Sequence, residues 1–331
     1  MNKTTKLALI FIFLLACDER YKTGTFPEKP VNLTDFNTEF DDYNSDAPAI
    51  GDIFPFCFSS TRNSKGSNYD IVYKVMSIEF SKTTGHLNVF EDVSYNSKVY
   101  IENRSINDAL KKINTSGDEF GPYLVSKGAN PNGTNMDKRY EMYIFLYSNN
   151  STGNQDIKFT HNLQDESYEQ PKEVKFLNSE YDDDYPTFNK DLSELYFTSN
   201  RENDFNIYRV EIDNTKDLVD VLTNTEQAPI EMETVLSSAF DDKCPFILDD
   251  FMVFTSNREG GFGGYDLYYS RFENGKWTAP RNFGDKINTS YDEYRPIVRE
   301  EPRFTNDFMI FSSNRPGGKG GFDLYYVGIN K

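Results

Sequence analysis

Short apolar runs, each bounded by Gly-, Asn- or Asp-rich turns, alternate with polar links along the chain from residue 26 onward. β-branched and aromatic residues dominate these runs, which favours strands over helices. Only residues 105–113 approach a helical period, and that stretch is short. Four strand candidates follow one another at 244–248, 251–256, 265–270 and 276–282. The pattern predicts an all-β protein built from short antiparallel strands.

A five-residue motif, Phe-Thr/Ser-Ser-Asn-Arg, recurs at a spacing of 57 residues, at 197–201, 254–258 and 311–315. Weaker copies occupy 58–62 and 147–150. A polar or Gly-rich link and a second strand follow each copy. An acidic pair and a proline that opens another strand precede it, and a proline at that position removes no needed ladder bond. The acidic pairs are Asp41 and Asp42, Asp118 and Glu119, Asp182 and Asp183, Asp241 and Asp242, and Asp292 and Glu293.

Four antiparallel strands in each repeat of this length are typical of a β-propeller blade. We therefore predict five four-stranded blades within residues 26–331, from repeats at about 40–104, 105–168, 169–226, 227–275 and 276–331. The last repeat lacks a fourth strand, and residues 26–34 have the pattern to supply it, which would remove an exposed edge. The long interval between 62 and 150 leaves a degenerate sixth blade open. We assign its excess to insertions at about 77–104 and 128–139.

The repeat resembles the WD-like propeller repeats of the TolB type. The resemblance lies in the five-residue motif, the Gly-rich link, the Asp-Leu-Tyr-Tyr strand and the acidic pair that opens the next strand. The resemblance covers about residues 26–331. It implies the propeller fold and says little about activity, because that family includes scaffolds, binding modules and accessory domains. By this analogy we expect a non-enzymatic scaffold that binds a protein partner in the cell envelope.

The N-terminus has the pattern of a bacterial export signal at residues 1–16. Lys3 and Lys6 precede an apolar run that is too short to span a bilayer as a helix. Leu14-Leu15-Ala16-Cys17 resembles a lipobox, which implies acylation of Cys17 and a lipidated tether at 17–25. We expect an outer-membrane lipoprotein that faces the periplasm or the cell surface. An ordinary secretory signal stays the alternative.

Composition narrows the function classes. The chain has 53 acidic and 35 basic side chains and a net charge of −18, which argues against a nucleic-acid partner. Two histidines make a His-centred metal site or a His-based nucleophile relay improbable. Cys57 and Cys244 lie in apolar runs of repeats that are not adjacent, so we predict two buried free thiols rather than a disulfide.

The acidic pairs are the candidate binding residues. In a propeller, the links from outer to inner strands lie on one face near the channel mouth, so five pairs there would form a negatively charged ring. Such a ring would bind a basic peptide, the basic patch of a protein or a divalent metal. No cofactor is predicted, although oxygen-rich loops leave Ca²⁺ open. The alternative is that these loops are merely solvated.

Other repeated residues favour structural roles. Arg201, Arg258 and Arg315 end the motif, and Asp266 and Asp323 open the next strand. An Arg–carboxylate bond or an Asp cap on backbone N–H groups would hold the intervening hairpin. The Gly-rich links at 260–264 and 317–321 lead into strands and lack a phosphate-loop pattern, so we interpret them as turns.

Two carbohydrate functions remain as alternatives. Five-bladed propellers include glycosidases, which place an acid and a nucleophile or base at the channel. Against this, the acidic pairs occur in every repeat, whereas a catalytic set should break the symmetry. His86 and His161 are expected to be ordinary surface residues. We therefore expect no catalytic residues, with a glycosidase or a carbohydrate-binding propeller as the alternatives.

Overall fold

The computed structural model describes residues 20–96, 101–130, 140–226 and 229–330. The predicted signal peptide and Cys17 lie outside these ranges. Within them, the chain forms five antiparallel sheets, one for each repeat. Each sheet is a blade whose first strand lines the channel.

The strands follow the repeats closely. The first strand, β1 (Val31–Asn32), precedes blade 1. In each blade the strands run from the channel outward. Blade 1 has β2 (Asp42–Asp46), β3 (Ile53–Ser60), β4 (Asp70–Phe80) and β5 (Leu87–Glu91), and blade 2 has β6 (Glu119–Ala129), β7 (Glu141–Asn149), β8 (Asp156–His161) and β9 (Lys172–Glu173). Blade 3 has β10 (Asp183–Phe188), β11 (Glu194–Glu202), β12 (Asp204–Glu211) and β13 (Ile230–Met232). Blade 4 has β14 (Asp242–Leu248), β15 (Phe251–Ser256) and β16 (Asp266–Glu273), with β17 (Lys276–Trp277) and β18 (Arg281–Asn282) both paired to β16. Blade 5 has β19 (Glu293–Arg299), β20 (Asp307–Ser313) and β21 (Asp323–Ile329).

The ring closes through its N-terminal strand. β1 pairs with β21 in antiparallel register, with Val31 opposite Tyr326 and Asn32 opposite Tyr325. The five-bladed prediction is confirmed, and the described ranges contain no sixth sheet. Closure covers the edge of β21, which would otherwise offer unpaired backbone groups to another chain.

The outer strands of blades 2, 3 and 4 begin after the residues at which the sequence predicted those repeats to end. β9, β13 and β17 begin at 172, 230 and 276, whereas the predicted repeats end at 168, 226 and 275. These strands are two or three residues long and partly exposed, so they carry little of the apolar pattern that marks the inner strands.

Three helices lie between strands in the described ranges: α1 (Val93–Asn96), α2 (Ile101–Ile113) and α3 (Leu218–Leu222). α2 extends the short helical stretch expected at 105–113, and it falls partly in the predicted insertion at 77–104. Its buried residues Ile106, Ala109 and Ile113 belong to a cluster with Tyr73 and Phe145, so the helix packs on blades 1 and 2. No helix in the described part of the chain is long and apolar enough to cross a membrane.

Each inner strand contains a left-handed residue at a register shift near its start, and β6 has a second one, Gly128, near its end. The five residues near the strand starts form what we call the channel waist: Asn44, Gly121, Tyr185, Cys244 and Arg295, with φ of 52°, 56°, 54°, 57° and 48°. Their contacts cross the channel between blades that are not neighbours. The Asn44 amide donates to the Tyr185 hydroxyl at 3.1 Å, and the Arg295 guanidinium lies 5.4 Å from the Tyr185 ring centroid.

Gly121 is the waist residue where glycine is required. We expect Gly121→Ala to lower the free energy of unfolding by about 3 kcal/mol, because an alanine is strained at a positive φ and its Cβ overpacks a filled site. A Cβ there would lie 2.6 Å from Tyr185 Cδ1. Urea denaturation would measure the change. Gly128→Ala is the matched control, since Gly128 also has a positive φ but no atom within 4 Å of the added Cβ. Equal losses for the two variants would contradict the steric account.

Candidate functional site

The second member of each acidic pair is buried inside its blade. Asp42, Glu119, Asp183, Asp242 and Glu293 are all 0% exposed. Four of them form ion pairs with the arginines that end the repeated motif, namely Arg62, Arg201, Arg258 and Arg315. These carboxylates hold the inner strand to the hairpin behind it and do not form part of an exposed ring.

One blade shows the arrangement in full. The Arg201 Nη2 atom lies 2.5 Å from Asp183 Oδ1 and 2.8 Å from the Leu177 carbonyl oxygen. Its guanidinium also lies over the Phe197 ring, 5.1 Å from the centroid. The Phe and the Arg of the motif therefore recur together because one stacks on the other, and the acid recurs because it balances the buried charge.

The first member of each pair joins neighbouring blades. Its carboxylate accepts a backbone N–H from the blade before it, for example from Tyr265 to Asp292 at 2.9 Å and from Gln155 to Asp182 at 2.9 Å. The same bond is made by Asp41, Asp118 and Asp241. Binding of a cation at these residues stays a prediction. Within the described ranges, no group of three or more His, Cys, Asp or Glu side chains could hold a metal ion.

The hairpin aspartates cap their own turns. Asp266 accepts the N–H groups of Phe262 and Gly263 at 2.7 and 3.1 Å, and Asp323 is bound in the same way by residues 319 and 320. Arg258 and Arg315 bind the strand-opening acids instead of these aspartates. A Cβ on Gly261 would lie 2.6 Å from the Asp266 carboxylate, so this glycine makes room for the cap.

Blade 2 lacks the arginine, because Ser151 stands where the other blades have it. Glu119 keeps bonds from Thr115 and Asn149, but its Oε2 atom has no hydrogen-bond partner. Burial raises the pKa of Glu119 to about 7, against the lowering effect of those bonds.

We expect Glu119→Gln to change how stability depends on pH. A carboxyl whose pKa is about 7 when folded and about 4.3 when unfolded stabilises the protein below pH 4.3, and this contribution is lost as the pH rises through 7. Relative to wild type, the variant should gain about 3 kcal/mol between pH 4 and pH 8. Urea unfolding at both pH values tests this, and parallel stability curves would contradict it.

The position after each acidic pair breaks the symmetry of the repeats. We call these residues the mouth ring: Tyr43, Phe120, Asp184, Lys243 and Tyr294. Each is paired with a Ser or Thr of the next strand in its blade, so the five positions are equivalent. Tyr43 stacks on Tyr294 with centroids 5.2 Å apart, which places both on the channel side. Three positions are aromatic and two adjacent ones carry opposite charges.

Further aromatic side chains surround the mouth ring. The Lys243 ammonium lies 3.5 Å from the centroid of the Phe205 ring. Tyr265 contacts Tyr294, with centroids 5.2 Å apart, and Phe322 contacts Tyr43 at 4.9 Å. Tyr43, Phe120, Tyr265 and Phe322 pack against Tyr294 in one cluster. We call the channel end that holds this cluster together with Asp184 and Lys243 the mouth basin.

Asp184 is the unusual member of the mouth ring. Its side chain is 5% exposed, and its Oδ1 atom has no hydrogen-bond partner. Burial raises the pKa of Asp184 to about 7, although the Ser148 hydroxyl and the Lys243 ammonium act in the opposite direction. A carboxyl of this kind can hold a proton at neutral pH and donate it.

Two tyrosine–carboxylate pairs adjoin the basin. The Tyr69 hydroxyl donates to Asp41 Oδ2 at 2.8 Å, and the Tyr265 hydroxyl donates to Asp241 Oδ2 at 2.6 Å. Burial, followed by the neighbouring carboxylate, raises the pKa of both phenols. The phenols therefore keep their protons and orient the carboxylates.

Neither histidine lies at the mouth, whereas Cys244 packs against Tyr294 of the mouth ring. His86 is exposed as expected, whereas His161 is 4% exposed and lies at the far end of β8, so the prediction of a surface residue is wrong for it. Burial lowers the pKa of His161. Cys57 and Cys244 are buried free thiols, as predicted.

Comparison with known proteins identifies the architecture. An α-L-arabinofuranosidase from Podospora anserina matches at 11% identity and a TM-score of 0.53, over 95% of this chain and 99% of that chain. A thermostable family-43 glycoside hydrolase matches at 12% identity and 0.52, over 90% and 92%. The β-xylosidase RS223 matches at 12% identity and 0.52, over 91% and 94%. No protein-family model matches the chain, and neither does the sequence of any curated protein.

At this identity the likeness establishes the five-bladed propeller fold alone. It contradicts the resemblance to TolB-type repeats, because the matching propellers are glycoside hydrolases. The expectations of a non-enzymatic protein and of a protein-binding scaffold relied on that resemblance, and the same finding contradicts them. The repeated motif misled because its residues form bonds within and between blades, so they report on blade geometry rather than on family.

Proposed function

We propose that the protein is a glycoside hydrolase whose active site is the basin at the channel mouth. The observation that carries the proposal is Asp184, a buried carboxyl with an unpartnered oxygen and a pKa raised to about 7. Glycosidic bond cleavage needs such a group, because the leaving oxygen must be protonated as the bond breaks. The matching propeller hydrolases add support from the same architecture.

The walls of the basin suit a sugar. Aromatic faces bind the apolar faces of pyranose and furanose rings, and Tyr43, Phe120 and Tyr294 offer three such side chains in equivalent positions. Three more aromatics, Tyr181, Phe240 and Tyr291, each stand just before an acidic pair and are 43%, 37% and 44% exposed. These exposed side chains extend the aromatic surface beyond the basin, which favours a glycan chain over a single sugar.

The second carboxylate comes from one of the two tyrosine-bound aspartates. A glycosidase pairs its acid with a base or a nucleophile across the scissile bond. Asp41 and Asp241 are the carboxylates whose tyrosine partners contact the mouth ring. Lys243 would orient the substrate by hydrogen bonds to its hydroxyl groups.

Hydrolysis of aryl glycosides tests the proposal. We expect the purified protein to release nitrophenol from at least one member of a panel that includes α-L-arabinofuranosides and β-D-xylosides. Asp41→Asn and Asp241→Asn should differ, with the larger loss in the variant that lacks the base. Binding of arabino- and xylo-oligosaccharides without turnover would support a sugar-binding site and contradict the proposed hydrolysis. Absence of both binding and turnover would overturn the whole proposal.

We also propose that the mature chain is an envelope lipoprotein acylated at Cys17. The lipobox-like run supports this, and a lipid anchor would hold the propeller near glycans outside the cytoplasm. Expression in a bacterial host with an alkyne-tagged fatty acid should label the wild type and leave Cys17→Ala unlabelled. Labelling of the variant, or of neither protein, would contradict acylation at this residue.

A further inference from the structure

Arg295 places a cationic side chain inside the channel waist, below the mouth ring. The residue is 0% exposed and is among the largest fully buried side chains of the described chain. Its backbone has a φ of 48°, and its N–H donates to the Thr255 hydroxyl at 3.1 Å. The left-handed backbone turns this side chain across the channel, where it reaches blades 2, 3 and 4.

The guanidinium has few partners for its donors. Its Nη1 and Nη2 atoms each lie 3.4 Å from a carbonyl oxygen, those of Pro245 and Pro122, and both bonds are long. Its Nε atom has no hydrogen-bond partner. The rings of Tyr185 and Phe246 supply cation–π contacts at 5.4 and 6.0 Å. Most of the five donors of this group are therefore poorly satisfied or unsatisfied.

No described carboxylate pairs with Arg295, since none lies within 4.0 Å of it. Asp46 interacts with it electrostatically, but Asp46 already pairs with Arg299 at 3.3 Å and accepts the Leu124 N–H at 2.8 Å. A buried cation without a counter-charge is costly, because aromatic rings and carbonyls replace only part of its hydration. The waist thus carries an unbalanced positive charge.

Asn44 is a second waist residue whose side chain is only partly hydrogen-bonded. Its Nδ2 atom donates to the Tyr185 hydroxyl, and its Oδ1 atom has no partner. A hydroxyl can donate or accept, so rotating the amide by half a turn keeps this bond and leaves the N–H₂ group free. Arg295 Nε–H and the Asn44 amide are then two donors without a protein acceptor, on side chains that both contact Tyr185.

We infer that the channel waist binds a monovalent anion of halide size against Arg295. One negative charge balances the guanidinium, and its Nε–H edge is the side that chelates anions. A small ion is required because Gly121 and the Tyr185 ring are already in close contact at this level. The inference is independent of the proposed hydrolase activity.

Bromide in place of chloride tests the site directly. We expect crystals of the purified protein grown in sodium bromide to show an anomalous peak within about 3.5 Å of Arg295 Nε. Raising sodium bromide from about 1 to about 100 mM should increase the melting temperature by about 4 °C more than sodium gluconate at equal ionic strength. The gluconate series is essential because any salt screens the self-repulsion of a chain with a net charge of −18.

Arg295→Met should remove the halide-specific shift, and Arg271→Met is the matched control. Arg271 also lies over an aromatic ring, that of Phe251 at 5.4 Å, but on the outer part of blade 4. The control should keep the halide response of the wild type. Absence of a bromide peak together with equal shifts in the two salts would overturn the site and leave water as its occupant. Because the wild type decides this by itself, a variant that fails to fold does not affect the test.

Discussion

Replacing Asp184 by Asn is expected to lower kcat/KM for glycoside hydrolysis by about 1,000-fold at pH 7, the range that a positioned general acid supplies. Asparagine keeps the size of the side chain and removes the proton that the leaving oxygen needs. Burial raises the pKa of Asp184 to about 7, so wild-type activity should be present below that pH and fall as the pH rises through it. The variant should lose this limb of the pH profile.

Substrates with different leaving groups distinguish a loss of acid catalysis from structural damage. A dinitrophenyl glycoside needs little protonation, so Asp184→Asn should lose far less activity on it than on an alkyl glycoside. Asp191→Asn serves as the matched control, because that exposed aspartate lies in the β10–β11 turn and its carboxylate accepts hydrogen bonds from Ser193 of the same turn. An equal loss on all leaving groups would show that Asp184 is not the acid.

The second large effect concerns the buried ion pairs of the blades. We expect Asp242→Asn to lower the free energy of unfolding by about 4 kcal/mol, because it leaves the Arg258 charge largely buried and unpaired. Asp242 is 0% exposed, and besides the arginine it accepts the Ser238 N–H at 2.6 Å. Urea denaturation at pH 7 measures the change.

Blade 2 supplies the control for this prediction. Glu119 occupies the position of Asp242 but has no arginine, so neutralising it strands no buried cation. Asp242→Asn should therefore be strongly destabilising at neutral pH while Glu119→Gln is not. Similar losses in the two variants would mean that hydrogen bonds to the acid, and not the ion pair, hold the blade together.

The location of the acidic residues shows how far repetition can mislead about function. The acids recur because every blade needs the same bonds, from Asp183 to Arg201 inside a blade and from Asp292 to Tyr265 between blades. The repeated acids therefore indicate the bonds that hold the blades together. Of the residues proposed to act chemically, Asp184 and Lys243 stand at the position directly after the acidic pair, where the repeats differ. Comparing that position across the five repeats would have revealed them.

The sequence by itself determined the number of blades, the acidic strand openers and the closure by residues 26–34, because blade hairpins depend on local hydrogen bonds and stacking that recur at a constant spacing. It did not determine which side chains meet. The basin around Asp184 and the uncompensated charge of Arg295 arise from five inner strands that are far apart in the chain and converge on one axis. Only the tertiary structure decides which side chains are buried there, and burial is what raises the pKa of Asp184 and leaves Arg295 without a counter-charge.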